Sequence, residues 1–75
     1  MSALQKRVGM RLRMLREKKG WSQEEFADIC GLHRTYVGSV ERGERNLTLN
    51  SLHTLSKALN VKMTDVLKGL DSSDN

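Results

Sequence analysis

The side chains able to do chemistry are few, and their spacing points to recognition. Cys30 stands alone, His33 and His53 have no acid or thiol partner at a useful interval, and no glycine loop is shaped to cradle a phosphate. No nucleophile, base and orienting acid are spaced to meet, so an enzyme is not expected, nor is a metal site or cofactor. What remains is a cluster of hydrogen-bonding groups on one short segment, Arg34, Thr35 and Ser39 around Gly38. At about 100° per residue these lie opposite Val37 and Val40, so one face of a helix is core and the other carries only polar groups and a glycine. A mid-helix glycine costs about 1 kcal/mol against alanine, which is poor design unless something large must approach that face. A DNA major groove admits such a helix, and Arg, Thr and Ser can all contact base edges there.

Those residues need a second element to hold them. Ser22 precedes Glu25 by three residues and forms the sequence pattern of a capping box, with Trp21 and Phe26 placed as a hydrophobic staple. This predicts a helix over about Gln23 to Cys30, stopped by Gly31, a tight turn through Leu32 and His33, and a second helix over about Arg34 to Arg42 before Gly43. His33 stands at the start of that second helix, where histidine is a poor cap.

The spacing Gln23-x-x-x-Ala27-x-x-x-Gly31, followed by Val37, Val40, Glu41 and Gly43, resembles the helix-turn-helix of phage repressors and Cro, the XRE family. The resemblance covers roughly residues 8 to 68. The string LHRTYVGSVERGERNLTL is also similar to controller proteins of restriction-modification systems. It implies an all-α, five-helix, lambda-repressor-like domain with its helix-turn-helix at about 23–42. It further implies that Arg34, Thr35 and Ser39 read bases, and that Gln23, Arg45, Asn46 and Asn50 contact phosphates, with Arg42 and Tyr36 beside them. The Tyr36 ring could pad the core edge or its hydroxyl could meet a phosphate. Arg16 matches a position that pairs with a late glutamate of the recognition helix, here Glu41, although a solvated arginine would look the same.

The rest of the chain fits that frame. Its 75 residues make one domain with a small core, without proline and with three aromatic residues, which suits a helical bundle. Leu4, Val8, Leu12 and Leu15 predict a first helix from about Leu4 to Lys19, with Met10 and Met14 off the stripe. Thr48 is a cap for a helix from about Leu49 to Leu59 with Leu49, Leu52, Leu55, Ala58 and Leu59 buried, and Thr64-Asp65 starts a last one ending near Gly69. Residues 1–70 form the domain, and 71–75 form a polar tail expected to fray.

The formal charge is +4, and the first helix holds Lys6, Arg7, Arg11, Arg13, Arg16, Lys18 and Lys19 against Glu17 alone. Such a segment suits a polyanion partner or is simply a solvated face. A lone cysteine and the absence of a long apolar run point to the cytoplasm, and the family resemblance implies a prokaryotic or phage protein associated with the nucleoid through DNA. The expected function is a transcriptional regulator that binds double-stranded DNA as a homodimer on a pseudo-palindrome, touching its copy through Met63, Val66, Leu67 and Leu70. No membrane or small-molecule partner is expected. A protein-interaction or antitoxin-like module on the same fold is the alternative.

Overall fold

A computed structural model describes residues 3–70, and the tail expected at 71–75 lies outside them. Five helices follow one another: α1 Ala3–Lys18, α2 Gln23–Cys30, α3 Arg34–Glu41, α4 Leu49–Leu59 and α5 Met63–Leu67. There is no strand among the described residues, and none of their helices is long and apolar enough to cross a membrane.

Local chemistry sets the boundaries. At α2 the Glu25 amide donates to Ser22 Oγ at 3.0 Å and the Ser22 amide donates to Glu25 Oε1 at 2.8 Å, the reciprocal box the sequence predicts. Trp21 and Phe26 stack with ring centroids 5.9 Å apart. Thr48 caps α4 by accepting from the Ser51 amide at 3.0 Å. At α5 the start lies two residues earlier than Thr64. Lys62 is the N-cap residue, and its amide donates to Asp65 Oδ2 at 2.8 Å, so Asp65 works from inside the helix and Thr64 does not cap it.

The first four helices end alike, on a pair of backbone bonds closed around one left-handed residue. After α2, Gly31 N donates to Asp28 O and Leu32 N to Ala27 O, at 3.2 and 2.9 Å. After α4, Asn60 occupies the left-handed position at φ 59°, the one residue other than glycine to do so among those described.

Val8, Leu12, Phe26, Ala27, Val37, Val40, Leu52, Leu55, Leu59, Val66 and Leu70 make one core. Helix α3 packs on α1 and α2, α4 packs on α2, and α5 closes the bundle against α1 and α4. The approach of α1 to the end of α3 is very close. A Cβ on Gly9 would lie 2.4 Å from Glu41 O and 2.5 Å from Val40 O, so at that point only a hydrogen fits between the two backbones.

Two leucines expected in the core are not there. Leu4 and Leu49 keep the helical spacing of their stripes but sit at the first turns of α1 and α4, beyond the reach of a packing partner, and are 53% and 77% exposed. Val66 and Leu70, expected at a dimer interface, are instead core residues at 0% and 5% exposure. Met63 is half-buried against the core, so of that set Leu67 alone is exposed.

The basic first helix also has a structural use that its composition did not reveal. Arg11 Nη1 donates to Asp65 O at 3.0 Å and Arg11 Nη2 to Lys68 O at 3.1 Å, and Arg7 donates to the carbonyls of Leu70 and Gly69. Two guanidinium groups therefore satisfy carbonyls in and just beyond α5, where a helix dipole also favours positive charge. Arg13 pairs with Glu17 on the same helix at 3.1 Å. Two of those seven basic residues, Arg7 and Arg11, thus hold α5 onto α1.

Candidate nucleic-acid interface

The interface is built on a buried ion pair. Arg16 Nε donates to Glu41 Oε2 at 2.8 Å and Arg16 Nη2 to Glu41 Oε1 at 3.0 Å, a two-bond fork between side chains only 8% and 2% exposed. Arg16 Nη1 also donates to Trp21 O at 2.7 Å, and Gln23 Nε2 donates to Glu41 Oε1 at 3.0 Å. One carboxylate from the end of α3 thereby gathers α1, the α1–α2 turn and the first residue of α2. The pairing expected of Arg16 and Glu41 is present. The guanidinium pKa is raised, chiefly by its hydrogen bond to the Glu41 carboxylate, against a smaller lowering by desolvation.

Over this base the start of α3 projects into solvent. His33 does cap it, contrary to the sequence expectation, because its Nδ1 accepts from the Thr35 amide at 3.1 Å. The imidazole supplies the acceptor that a serine or threonine hydroxyl ordinarily would. Arg34 and Thr35 are exposed, and both line a shallow depression with Ser22, Gln23, Glu24 and Arg42. Arg34 Nη1 stands 3.7 Å from Glu24 Oε2, with both side chains about two-thirds exposed, a contact the sequence reading missed. Residue spacing alone carried no signal for it, since the two belong to different helices.

The rest of the expected groove face divides. Ser39 is 9% exposed and its hydroxyl donates back to Tyr36 O at 2.9 Å, so it is not presented for base contact. Gly38 is covered rather than open. A Cβ there would lie 3.1 Å from Arg42 Nη1 and 3.2 Å from Gln23 Oε1, so the glycine makes room for two side chains of the protein itself. The polar side of α3 lies where its helical angles put it, but the start of α2 overlies half of it.

Among the expected phosphate contacts, Gln23 is half-buried and held by Glu41. Arg42 is exposed beside Glu44, 3.0 Å from Nε to Oε1. The Tyr36 hydroxyl is buried with no hydrogen-bond partner among the described residues, so packing wins over the expected phosphate contact in this conformation. The Arg45 guanidinium lies 5.5 Å from the centroid of the Tyr36 ring, a cation–π arrangement that holds the loop against α3. Asn46 accepts from the Gln5 amide group, and Asn50 is exposed in the first turn of α4. Arg34, Thr35, Arg42, Arg45, Asn46 and Asn50 thus remain at the surface, while Ser39 and the Tyr36 hydroxyl do not.

Two short helices locked at a fixed angle, with the first turn of the second exposed and polar, define a helix-turn-helix protein. The family model described as helix-turn-helix matches residues 12–66, and the chain belongs to that family, in its XRE-type branch. Control protein C.SmaI of Serratia marcescens is 54% identical over 56 residues, covering 75% of this chain and 67% of its own. Control protein C.BamHI of Bacillus amyloliquefaciens is 45% identical over 60 residues, with 79% and 74% covered. The crystal structure of the restriction-modification controller C.AhdI from Aeromonas hydrophila superposes with a TM-score of 0.85 at 45% identity, covering 87% of this chain and 98% of that one. The controller C.Esp1396I, solved as a tetramer in complex with its 35 base-pair operator, gives a TM-score of 0.84 at 35% identity over 96% and 95%.

Proposed function

We propose that this chain is a sequence-specific, DNA-binding transcriptional regulator of the restriction-modification controller type. It acts in the prokaryotic cytoplasm, at the nucleoid, as a homodimer on a pseudo-palindromic operator. The observation that carries the reading is the exposed first turn of α3, where Arg34 and Thr35 stand clear of a core that fixes the helix from below. With α3 in a major groove, Arg34 can make the two-bond contact with guanine and Thr35 can meet a thymine methyl or a base-edge acceptor. Gln23 at the start of α2, with Arg42, Arg45, Asn46 and Asn50, contacts the flanking phosphates and sets the register. The relatives support the reading through their printed roles as control proteins and through the operator complex of one of them.

Selection of bound sites from random duplex DNA, followed by titration at two salt concentrations, tests it. The expected result is an inverted repeat with half-sites about one helical turn apart. Affinity should fall steeply with salt, with a log–log slope near −0.9 per phosphate neutralised. Arg34→Ala should lose preference at one position of each half-site, and Arg45→Ala should weaken every sequence alike. A chain with no duplex preference at either salt would instead be a protein-interaction module.

A further inference from the structure

The loop between α3 and α4 carries Arg45 and Asn46, and it rests against the first turn of α1. A Cβ on Gly43 would lie 2.7 Å from both Cα and Cγ of Lys6 and 2.9 Å from its backbone nitrogen, so the loop meets the body of α1 directly. Beside that contact, Gln5 Nε2 donates to Asn46 Oδ1, a bond between side chains 41 positions apart in sequence. Gln5 is half-buried and Asn46 is exposed, so a confined side chain holds an outward one.

A side-chain amide has two unlike ends, an oxygen that only accepts and an NH2 group that donates. Phosphate oxygens accept, so Asn46 can hold a DNA backbone only through Nδ2, and the reverse presentation would set its carbonyl oxygen against them. An asparagine free to turn would offer either end. We propose that Gln5 is a positioning residue for DNA binding, which holds the Asn46 amide with its NH2 group toward the phosphate strand. The inference rests on the reading of the protein as an operator-binding regulator with Asn46 among its phosphate contacts. Gln5 does not itself touch the duplex. By occupying Asn46 Oδ1 it leaves Nδ2 as the outward donor. The gain is one of preorganisation, because the side chain is ordered before the DNA arrives and the cost of fixing it is not met on binding. The contact of Gly43 with Lys6 keeps the loop at the distance across which Gln5 can reach.

Duplex titration of the full chain tests this with two variants. Gln5→Met keeps the length of the side chain and removes the donor, and Gln5→Glu replaces the donor with an acceptor that Asn46 can meet only by turning Nδ2 inward. Gln5→Met should weaken binding about threefold to tenfold, the size of one net hydrogen bond. The loss should be the same for selected and unrelated duplexes, with an unchanged salt slope, since a neutral amide contact releases no counterion. Gln5→Glu should lose more. In an Asn46→Ala background Gln5→Met should have no further effect. An equal loss in both backgrounds, or a slope flattened as by Arg45→Ala, would show a loop merely loosened and overturns the proposal, as does a Gln5→Met chain that binds like the wild type. Side-chain amide exchange, followed by NMR in the wild-type chain without DNA, gives a second measurement that needs no variant to fold. The Gln5 Nε2 hydrogens should exchange more slowly than those of Asn46 Nδ2, and the reverse order overturns the proposal. The functional reading fails differently. A wild-type chain with no duplex affinity removes the operator and the phosphate role of Asn46 together, whereas a selective wild type indifferent to Gln5 removes this inference alone.

Discussion

Arg16 and Glu41 meet through two parallel hydrogen bonds of 2.8 and 3.0 Å, almost wholly out of water, and every element that presents α3 is tied to that pair. Its worth lies in geometry more than in stability, because desolvation of two ions offsets much of their attraction. Arg16→Met should therefore cost about 3–5 kcal/mol by leaving a carboxylate buried without its cation. The double variant with Glu41→Leu should recover most of that loss, while DNA affinity should stay low if Gln23, proposed above as a phosphate contact, has to be held by Glu41. Urea denaturation of the single and double variants measures the first part, and duplex titration measures the second. A double variant no more stable than the single one would show that the pair itself holds the fold.

Gly9 gives the second prediction, and its sign is diagnostic. In a helix that merely tolerates glycine, alanine gains about 1 kcal/mol. Here the new Cβ would collide with the carbonyl oxygens of Val40 and Glu41, backbone atoms that no side-chain rotation can move. Gly9→Ala should lower stability by about 1–3 kcal/mol, the range for overpacked sites. Met10→Ala, on the exposed side of the same helix, should change it little. Thermal melts of the two variants compare them, and a stabilised Gly9→Ala would contradict the close approach of α1 to α3.

These two sites show what the sequence could and could not reveal. Helix starts and stops at Ser22, Thr48 and Gly31 were legible because each is written in residues within four positions of one another. The Arg16–Glu41 pair was legible only through family resemblance. The Arg7 and Arg11 contacts were invisible because their acceptors lie more than fifty residues away, and Gly9 because nothing local distinguishes a close approach from a tolerated glycine. Ser39 and Gly38 were misplaced because a helical wheel shows which side is polar but not which neighbour covers it. Leu4 and Leu49 kept the periodicity of their helices past the point where the core ends.

Cys30, the last residue of α2, is partly buried beside α4, and that burial pushes its thiol up to about 11. The folded chain therefore holds this proton more tightly than the unfolded chain, whose thiol ionises near its ordinary value of 9.0. From about pH 9 to 11 the unfolded state binds fewer protons, so the contribution of Cys30 to stability falls as pH rises and is unchanged below that window. Cys30→Ser should flatten this part of the stability profile. Alkylation of the native thiol by iodoacetamide at neutral pH should also be slow, since little thiolate is present. Rapid modification of the folded protein at pH 7 would show that the thiol is not shielded.

Glu24 and Arg34 supply the last prediction. Their side chains stand 3.7 Å apart and mostly in solvent, so the pair contributes little to stability. Its effect should be on binding, because a carboxylate at the edge of the DNA face repels phosphate and competes with guanine for the same guanidinium. Glu24→Gln keeps the size of the side chain and the helix start, since the capping box uses Glu25, and removes only the charge. Affinity for all duplexes should rise several-fold, with the largest gain at low salt, where screening is weakest. The preference for the selected base over its alternatives should change little, because the substitution leaves Arg34, the proposed base contact, in place. In the Arg34→Ala background the same substitution should still relieve phosphate repulsion but give a smaller gain, since the competition for Arg34 is gone. Equal gains in the two backgrounds would show that Glu24 acts on the phosphates alone, and no gain in either would place it outside the bound surface.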